Sequence, residues 1–188
     1  IGFIGLGRMG LPMAANLVKG NYSVFGFDTN ESQLEQAGRM GCTLCSSLSD
    51  VVKTADIVIT MLPNSKSVEE VYLSSDSGVF KHSGKDMVAM DMSTVSPATT
   101  DVLAAEAAAR QIEFLDAPVG RLASHADAGE SLFMVGGSKT GFKRVEPLLA
   151  LMGSDIFHCG EAGAGTRTKL VNNFLAISYC QMNAEALS

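Results

Sequence analysis

Short apolar runs alternate along this chain with stretches in which apolar residues recur every three to four positions. Runs of three to six residues rich in Ile, Val, Phe and Met read as buried strands. They fall at Ile1–Gly5, Ser23–Asp28, Ile57–Met61, Met87–Asp91, Glu113–Asp116, Leu132–Val135 and Ile156–His158. Helical periodicity between them predicts helices over Gly10–Lys19, Glu31–Met40, Leu48–Thr54, Ser67–Leu73, Pro97–Arg110 and Gly141–Leu151. Strand–helix alternation with right-handed crossovers closes as an α/β fold, a doubly wound, mainly parallel sheet, here over residues 1–162. Gly163-Ala164-Gly165 then opens a different pattern. From Leu170 to Leu187 apolar residues point to nearly every side, and such a helix needs neighbours all round. Residues 163–188 are therefore expected to start a long interdomain helix of a second, helical domain whose remainder is absent, or to be covered by another subunit.

Composition narrows the function. The 188 residues, 46% of them hydrophobic, suffice for one domain and part of another. A net charge of −6 leaves no basic stripe for phosphodiester backbones, which excludes nucleic acid as a partner. A small anion stays compatible if a few cations line one cleft. No apolar run approaches the roughly 20 residues of a membrane span. Cys42-Thr43-Leu44-Cys45 has no second pair, and with Cys159 and Cys180 reads as reduced thiols. That composition points to the cytoplasm, with a mitochondrial or other organellar matrix left open, because any targeting segment before Ile1 lies outside the sequence. His82, His125 and His158 are scattered without metal-ligand spacing, and no metal is expected.

Gly5-Leu6-Gly7-Arg8-Met9-Gly10 follows a predicted strand and opens a predicted helix, the context of a Rossmann-type dinucleotide cradle. Gly5 permits the turn, Gly7 lets a pyrophosphate reach the backbone, Gly10 allows helix and strand to close up, and the free amides around Arg8 and Met9 suit phosphate. Asp28 ends the second strand, where a carboxylate holds ribose hydroxyls and repels a 2′-phosphate. NAD is therefore expected in preference to NADP. Leu62-Pro63 and Ser93-Thr94 leave two later strand ends and should face the nicotinamide half. In the final helix, Lys169 with Asn172 and Asn173 at i+3 and i+4 puts one amine and two amides on a single face.

These motifs together resemble the β-hydroxyacid dehydrogenase family. The resemblance rests on Ile4–Leu17, Thr60-Met61-Leu62-Pro63-Asn64, Asp91-Met92-Ser93-Thr94, Asp116-Ala117-Pro118-Val119 and Gly163-x-Gly165 followed by Lys169-x-x-Asn172-Asn173. It implies an NAD(P)-dependent oxidoreductase with Lys169 as catalytic lysine, Leu62, Pro63 and Thr94 on the cofactor, and a helical domain after this one. Most members follow Asp-Ala-Pro-Val with Ser-Gly-Gly. Here Gly120-Arg121-Leu122 stands there, which looks like the sulfolactaldehyde reductase branch and implies Arg121 as an anchor for a sulfonate or carboxylate.

The expected chemistry is hydride transfer between a small β-hydroxyacid or 3-hydroxysulfonate and its aldehyde, Lys169 moving the proton. Its pKa should be lowered by burial or by a neighbouring cation such as Arg121. Gly120, Arg121, Ser93, Asn172 and Asn173 are the expected substrate contacts. A 3-hydroxyisobutyrate or tartronate semialdehyde enzyme, or a non-catalytic dinucleotide-binding module, remain the alternatives. A homo-oligomer is expected through the absent helical domain.

Overall fold

A computed structural model describes residues 1–84 and 86–188. In chain order the elements are β1 (Gly2–Ile4), α1 (Gly10–Lys19), β2 (Phe25–Phe27), α2 (Glu31–Arg39), β3 (Thr43–Leu44), α3 (Leu48–Thr54), β4 (Ile57–Thr60), α4 (Ser65–Leu73), α5 (Val79–His82) and β5 (Val88–Asp91). There follow α6 (Pro97–Ala109), β6 (Glu113–Asp116), β7 (Val119–Gly120), α7 (Ala123–Ala128), β8 (Ser131–Gly136), α8 (Lys139–Met152), β9 (Gly153–Gly160) and α9 (Ala164–Ala186).

The sheet runs β3-β2-β1-β4-β5-β6-β8, with β9 beyond β8. Strands β3 through β6 pair in parallel. The strand predicted at Leu132–Val135 enters antiparallel: β6 and β7 lie along β8 in one unbroken register, Asp116 opposite Gly136 and Gly120 opposite Leu132. β9 then returns parallel to β8. The sheet is mixed at this edge and parallel elsewhere, in keeping with the doubly wound reading.

Strand alternation divides the core between the two faces. Phe3, Ile59, Val88 and Met90 pack with Met13, Leu17, Val145 and Leu149. Ile4, Val58 and Ala89 pack on the other face with Val51, Val68, Tyr72 and Leu103. Both faces are covered, which is why these strands read as continuous apolar runs rather than alternating ones. The two-residue strands β3 and β7 and the short helices α5 and α7 lack such a run, and the pattern passed over them. Cys42 and Cys45 flank β3, and all four cysteines are free thiols.

Five helices start on a local side chain: Asn30, Ser47, Asn64, Ser96 and Ser138 cap α2, α3, α4, α6 and α8. Neither α1 nor α9 has such a cap. No helix among the described residues is long and apolar enough to cross a membrane.

Candidate functional site

The order in which the chain adds strands reverses at β1, which lies between β2 and β4, and ligands in such sheets bind beyond the carboxyl ends at that crevice. The glycine turn sits there. Gly5 has φ +92°, and a Cβ on it would stand 2.3 Å from the Met61 carbonyl oxygen. A Cβ on Gly10 would stand 1.9 Å from the Gly5 carbonyl oxygen, so α1 closes onto the turn only as glycine. A Cβ on Gly7 would meet nothing within 4 Å, and the space above it is open. Among the described residues, no acceptor meets the N–H groups of Arg8, Met9 or Gly10. An open glycine, unpaired amides and a positive helix end together fit a pyrophosphate.

A cavity of about 610 Å³ spreads over this turn. Gly5, Gly7, Arg8, Met9 and Gly10 form its floor, Asp28 one wall, and Leu62 and Pro63 another. Thr94 is exposed and lies outside that lining. Asp28 accepts from the Leu6 amide at 2.7 Å and the Asn30 amide at 2.8 Å. Its carboxylate is thus fixed at the end of β2, against the glycine turn. The sequence reading missed a further wall: Ser67, Glu70 and Val71 of α4 also line the cavity. The Asn64 cap that starts α4 right after Leu62-Pro63 was the available signal.

Next along the carboxyl edge, Thr60, Asp91 and Asp116 stand in register on adjacent strands. The buried Asp91 Oδ1 accepts from Thr60 Oγ1 at 2.7 Å, Ser93 Oγ at 2.6 Å and the Ser93 amide at 3.1 Å. Ser93 Oγ in turn accepts from the Leu62 amide at 2.9 Å. The Tyr72 hydroxyl meets Thr60 Oγ1 at 3.1 Å. Burial pushes the Asp91 carboxyl up, the nearby charge of Asp116 adds to this, and the hydrogen bonds from Ser93 and Thr60 oppose it. The Tyr72 phenol is pushed well up by burial and by the Asp91 charge. Ser93 is 1% exposed. Its proton serves Asp91 and one lone pair serves the Leu62 amide, which leaves the hydroxyl read from sequence as a substrate contact one acceptor position.

Lys169 lies in the second turn of α9 and is 9% exposed. Burial alone lowers its pKa; no charged neighbour contributes. The sequence expectation that Arg121 would help is thereby corrected: its guanidinium points elsewhere. It donates to Ser154 Oγ at 2.8 Å, to the Glu130 carbonyl at 2.5 Å and to the Asp155 carboxylate, with which it forms an ion pair. Arg121 has φ +74°, a left-handed backbone costly for any side chain. Gly120 is buried against Leu132. Asn173 is half-buried and Asn172 exposed, and among the described residues neither amide bonds Lys169. Beyond Lys169, α9 carries uncovered apolar surface: Phe174 is 71% and Ile177 68% exposed. Among the described residues no three His, Cys, Asp or Glu side chains gather as a metal set.

Residues 1–160 match the family described as the NAD binding domain of 6-phosphogluconate dehydrogenase. The chain is 41% identical to a 2-(hydroxymethyl)glutarate dehydrogenase of Eubacterium barkeri and 38% identical to a 3-sulfolactaldehyde reductase of Escherichia coli. These alignments cover 100% and 99% of the chain but 62% of each relative. A Mycobacterium tuberculosis 3-hydroxyisobutyrate dehydrogenase solved with L-serine superposes with a TM-score of 0.88 at 36% identity, over 99% of this chain and 65% of that one. The chain thus spans about three fifths of the length of the curated relatives it matches.

Proposed function

The chain belongs to the family of the NAD binding domain of 6-phosphogluconate dehydrogenase, and from that premise we propose that it is the cofactor half of a β-hydroxyacid dehydrogenase, an NAD-dependent dehydrogenase or reductase acting on a small anionic β-hydroxyacid. One observation carries the reading: a buried lysine sits in the second turn of a helix rooted on Asp116 at the carboxyl end of β6, the edge of the sheet on which the glycine cradle also lies. NAD supplies the hydride acceptor or donor. In oxidation the neutral Lys169 amine takes the proton of the substrate hydroxyl; in reduction its ammonium returns one to the carbonyl oxygen. A pKa lowered by burial serves both directions, because it brings the neutral amine closer in free energy to the ammonium. Asn173, on the same helical face, orients the substrate, and the Gly120 N–H approaches its acid group unobstructed by a side chain.

Asp28 favours NAD: its fixed carboxylate would face a 2′-phosphate with like charge. As an anion anchor, Arg121 has to exchange Asp155 for the substrate's acid group. The bare apolar face of α9 beyond Lys169 calls for a cover, and a helical segment that completes the relatives' length, with a homo-oligomer built through it, would provide one. Substrates to try are 2-(hydroxymethyl)glutarate, 3-hydroxyisobutyrate, L-serine and the sulfolactaldehyde pair, the compounds named for the relatives. Lys169→Ala in the whole protein is expected to abolish turnover on the active one and to leave NAD affinity within a few-fold. Retained kcat would remove the lysine from this role. Normal NADH binding without turnover on any of them would favour a non-catalytic binding module.

A further inference from the structure

The first turn of α9 has no capping side chain of its own, yet its amides are not free. Asp116, 1% exposed at the end of β6, accepts from the Gly163 amide through Oδ1 and from the Thr166 amide through Oδ2, each at 2.6 Å. The same turn is held on three more sides. Thr166 Oγ1 meets Thr100 Oγ1 of α6 at 3.0 Å. Arg167 grips Asp101 of α6 with both terminal nitrogens, at 2.9 and 2.8 Å. Gly165 lies so close to β8 that a Cβ would stand 2.2 Å from the Met134 carbonyl oxygen, and a Cβ on Gly136 would stand 2.4 Å from Asp116 Oδ1. Lys169 follows Gly165 by four residues, directly above it on the same helical face.

We propose that Asp116 is a positioning residue: by bonding the amides of Gly163, just before the helix, and Thr166, in its first turn, it sets the depth and rotation of α9, and so the place of the Lys169 amine over the carboxyl edge. A residue that acts only at the root of a helix has leverage here, because α9 beyond Lys169 touches little of the described chain. The register of the sheet adds a second link. Asp116 is the strand neighbour of Asp91, whose bonds hold Ser93 and, through it, the Leu62 loop at the cofactor cavity. Two adjacent buried carboxylates thus hold the two parts that have to meet, the cofactor-side loops and the lysine helix, on one rigid row.

The inference rests on Lys169 being the acid/base group, and a double-mutant cycle in the whole protein separates the two claims. Asp116→Asn keeps the volume and one acceptor but turns an N–H toward the second amide. Expected is a fall in kcat of about 10-fold or more with NADH affinity within 2-fold. In the Lys169→Ala background, followed at high enzyme concentration, the same substitution should change the residual rate by less than 2-fold, since effects through one group do not add. An equal factor in both backgrounds, unchanged kcat in folded Asp116→Asn, or NADH binding weakened as much as kcat would overturn the proposal. Undiminished kcat in Lys169→Ala alone would overturn the functional reading instead. If Asp116→Asn does not fold, Thr100→Val, which removes the neighbouring bond to the same turn, is read by the same outcomes with a smaller expected factor of about 3-fold.

Discussion

Replacing Ser93 with alanine tests the buried row at the carboxyl edge most directly. The hydroxyl makes two bonds, donating to Asp91 Oδ1 at 2.6 Å and accepting from the Leu62 amide at 2.9 Å. Losing the first takes a charge-assisted bond from a buried carboxylate, about 1.5–3 kcal/mol. Losing the second leaves a part-buried amide that water can reach, about 0.5–1 kcal/mol. The sum, about 2–4 kcal/mol, lowers the Tm of a chain this size by on the order of 10 °C. The loss also depends on pH. Burial already raises the Asp91 carboxyl, and Ser93 is the first of the groups opposing it, so the substitution raises it further. A carboxyl whose folded pKa lies above its unfolded value binds more protons in the native state across that window, and stability falls there as pH rises. The destabilisation by Ser93→Ala should therefore be larger at pH 7 than near pH 4.5. Urea denaturation at both values, with hydrogen exchange of the Leu62 amide, measures it. A loss under 0.5 kcal/mol at pH 7, or one independent of pH, would refute the network as described.

Oxidation by the whole protein should show kcat/KM rising with pH through a lysine pKa below the ordinary value, because the neutral amine is the active form; a limb in the usual lysine range would contradict the lowered pKa of Lys169. Gly10→Ala should abolish NADH binding or folding, since its Cβ meets a carbonyl oxygen at 1.9 Å, whereas Gly7→Ala should fold normally and lose only cofactor affinity, both read by NADH fluorescence titration. Asp28→Ser should shift the NAD to NADP affinity ratio toward NADP by about 10-fold, as it removes the like charge facing a 2′-phosphate. Arg121→Gly exchanges a half-exposed ion pair, worth about 1 kcal/mol or less, for relief of a left-handed backbone at φ +74° worth a similar amount, so its Tm should move little. A KM that rises for an anionic substrate and not for a neutral analogue would then report Arg121 as the anion anchor, and an equal effect on both would make it structural.

The doubly wound order was readable because buried parallel strands leave unbroken apolar runs and their helices carry a clear period. Local devices left signals that the periodicity did not use: Asn64 and Ser96, residue types that cap helices, stand just before α4 and α6. What stayed out of sight was everything whose partner lies far along the chain. Asp116 reads as one letter of a motif, yet its bonds reach 47 and 50 residues ahead to Gly163 and Thr166. Ser93 looks like a polar group at a strand end, free for a ligand, until the strand order brings Leu62 to it. Arg121 looks like a free cation, until β9 places Asp155 beside it. In each case the residue type was legible and its commitment was not, because spacing says which atoms exist and topology says which are already bonded.

One inference runs the other way, from an absence in the sequence to a role in the site. A helix that starts without Ser, Thr, Asp or Asn leaves several amides unsatisfied, and burial makes that costly, so something outside the helix has to take them. Among the described residues, α1 and α9 are the helices of more than six residues that start this way, and the short α5 and α7 also lack a side-chain cap. The amides of α1 face an open cavity over Gly7, where a diffusible anion is the partner that fits. At the start of α9, Asp116 takes the amides of Gly163 and Thr166, while that of Ala164 goes to the Glu161 carbonyl. The two long uncapped helices are the ones that carry the cofactor cradle and the lysine. An uncapped start in a well-capped chain therefore marks where the helix end has been given to a ligand or to a distant carboxylate. For this fold, that makes Asp116 as much a part of the site's construction as the glycines that precede it.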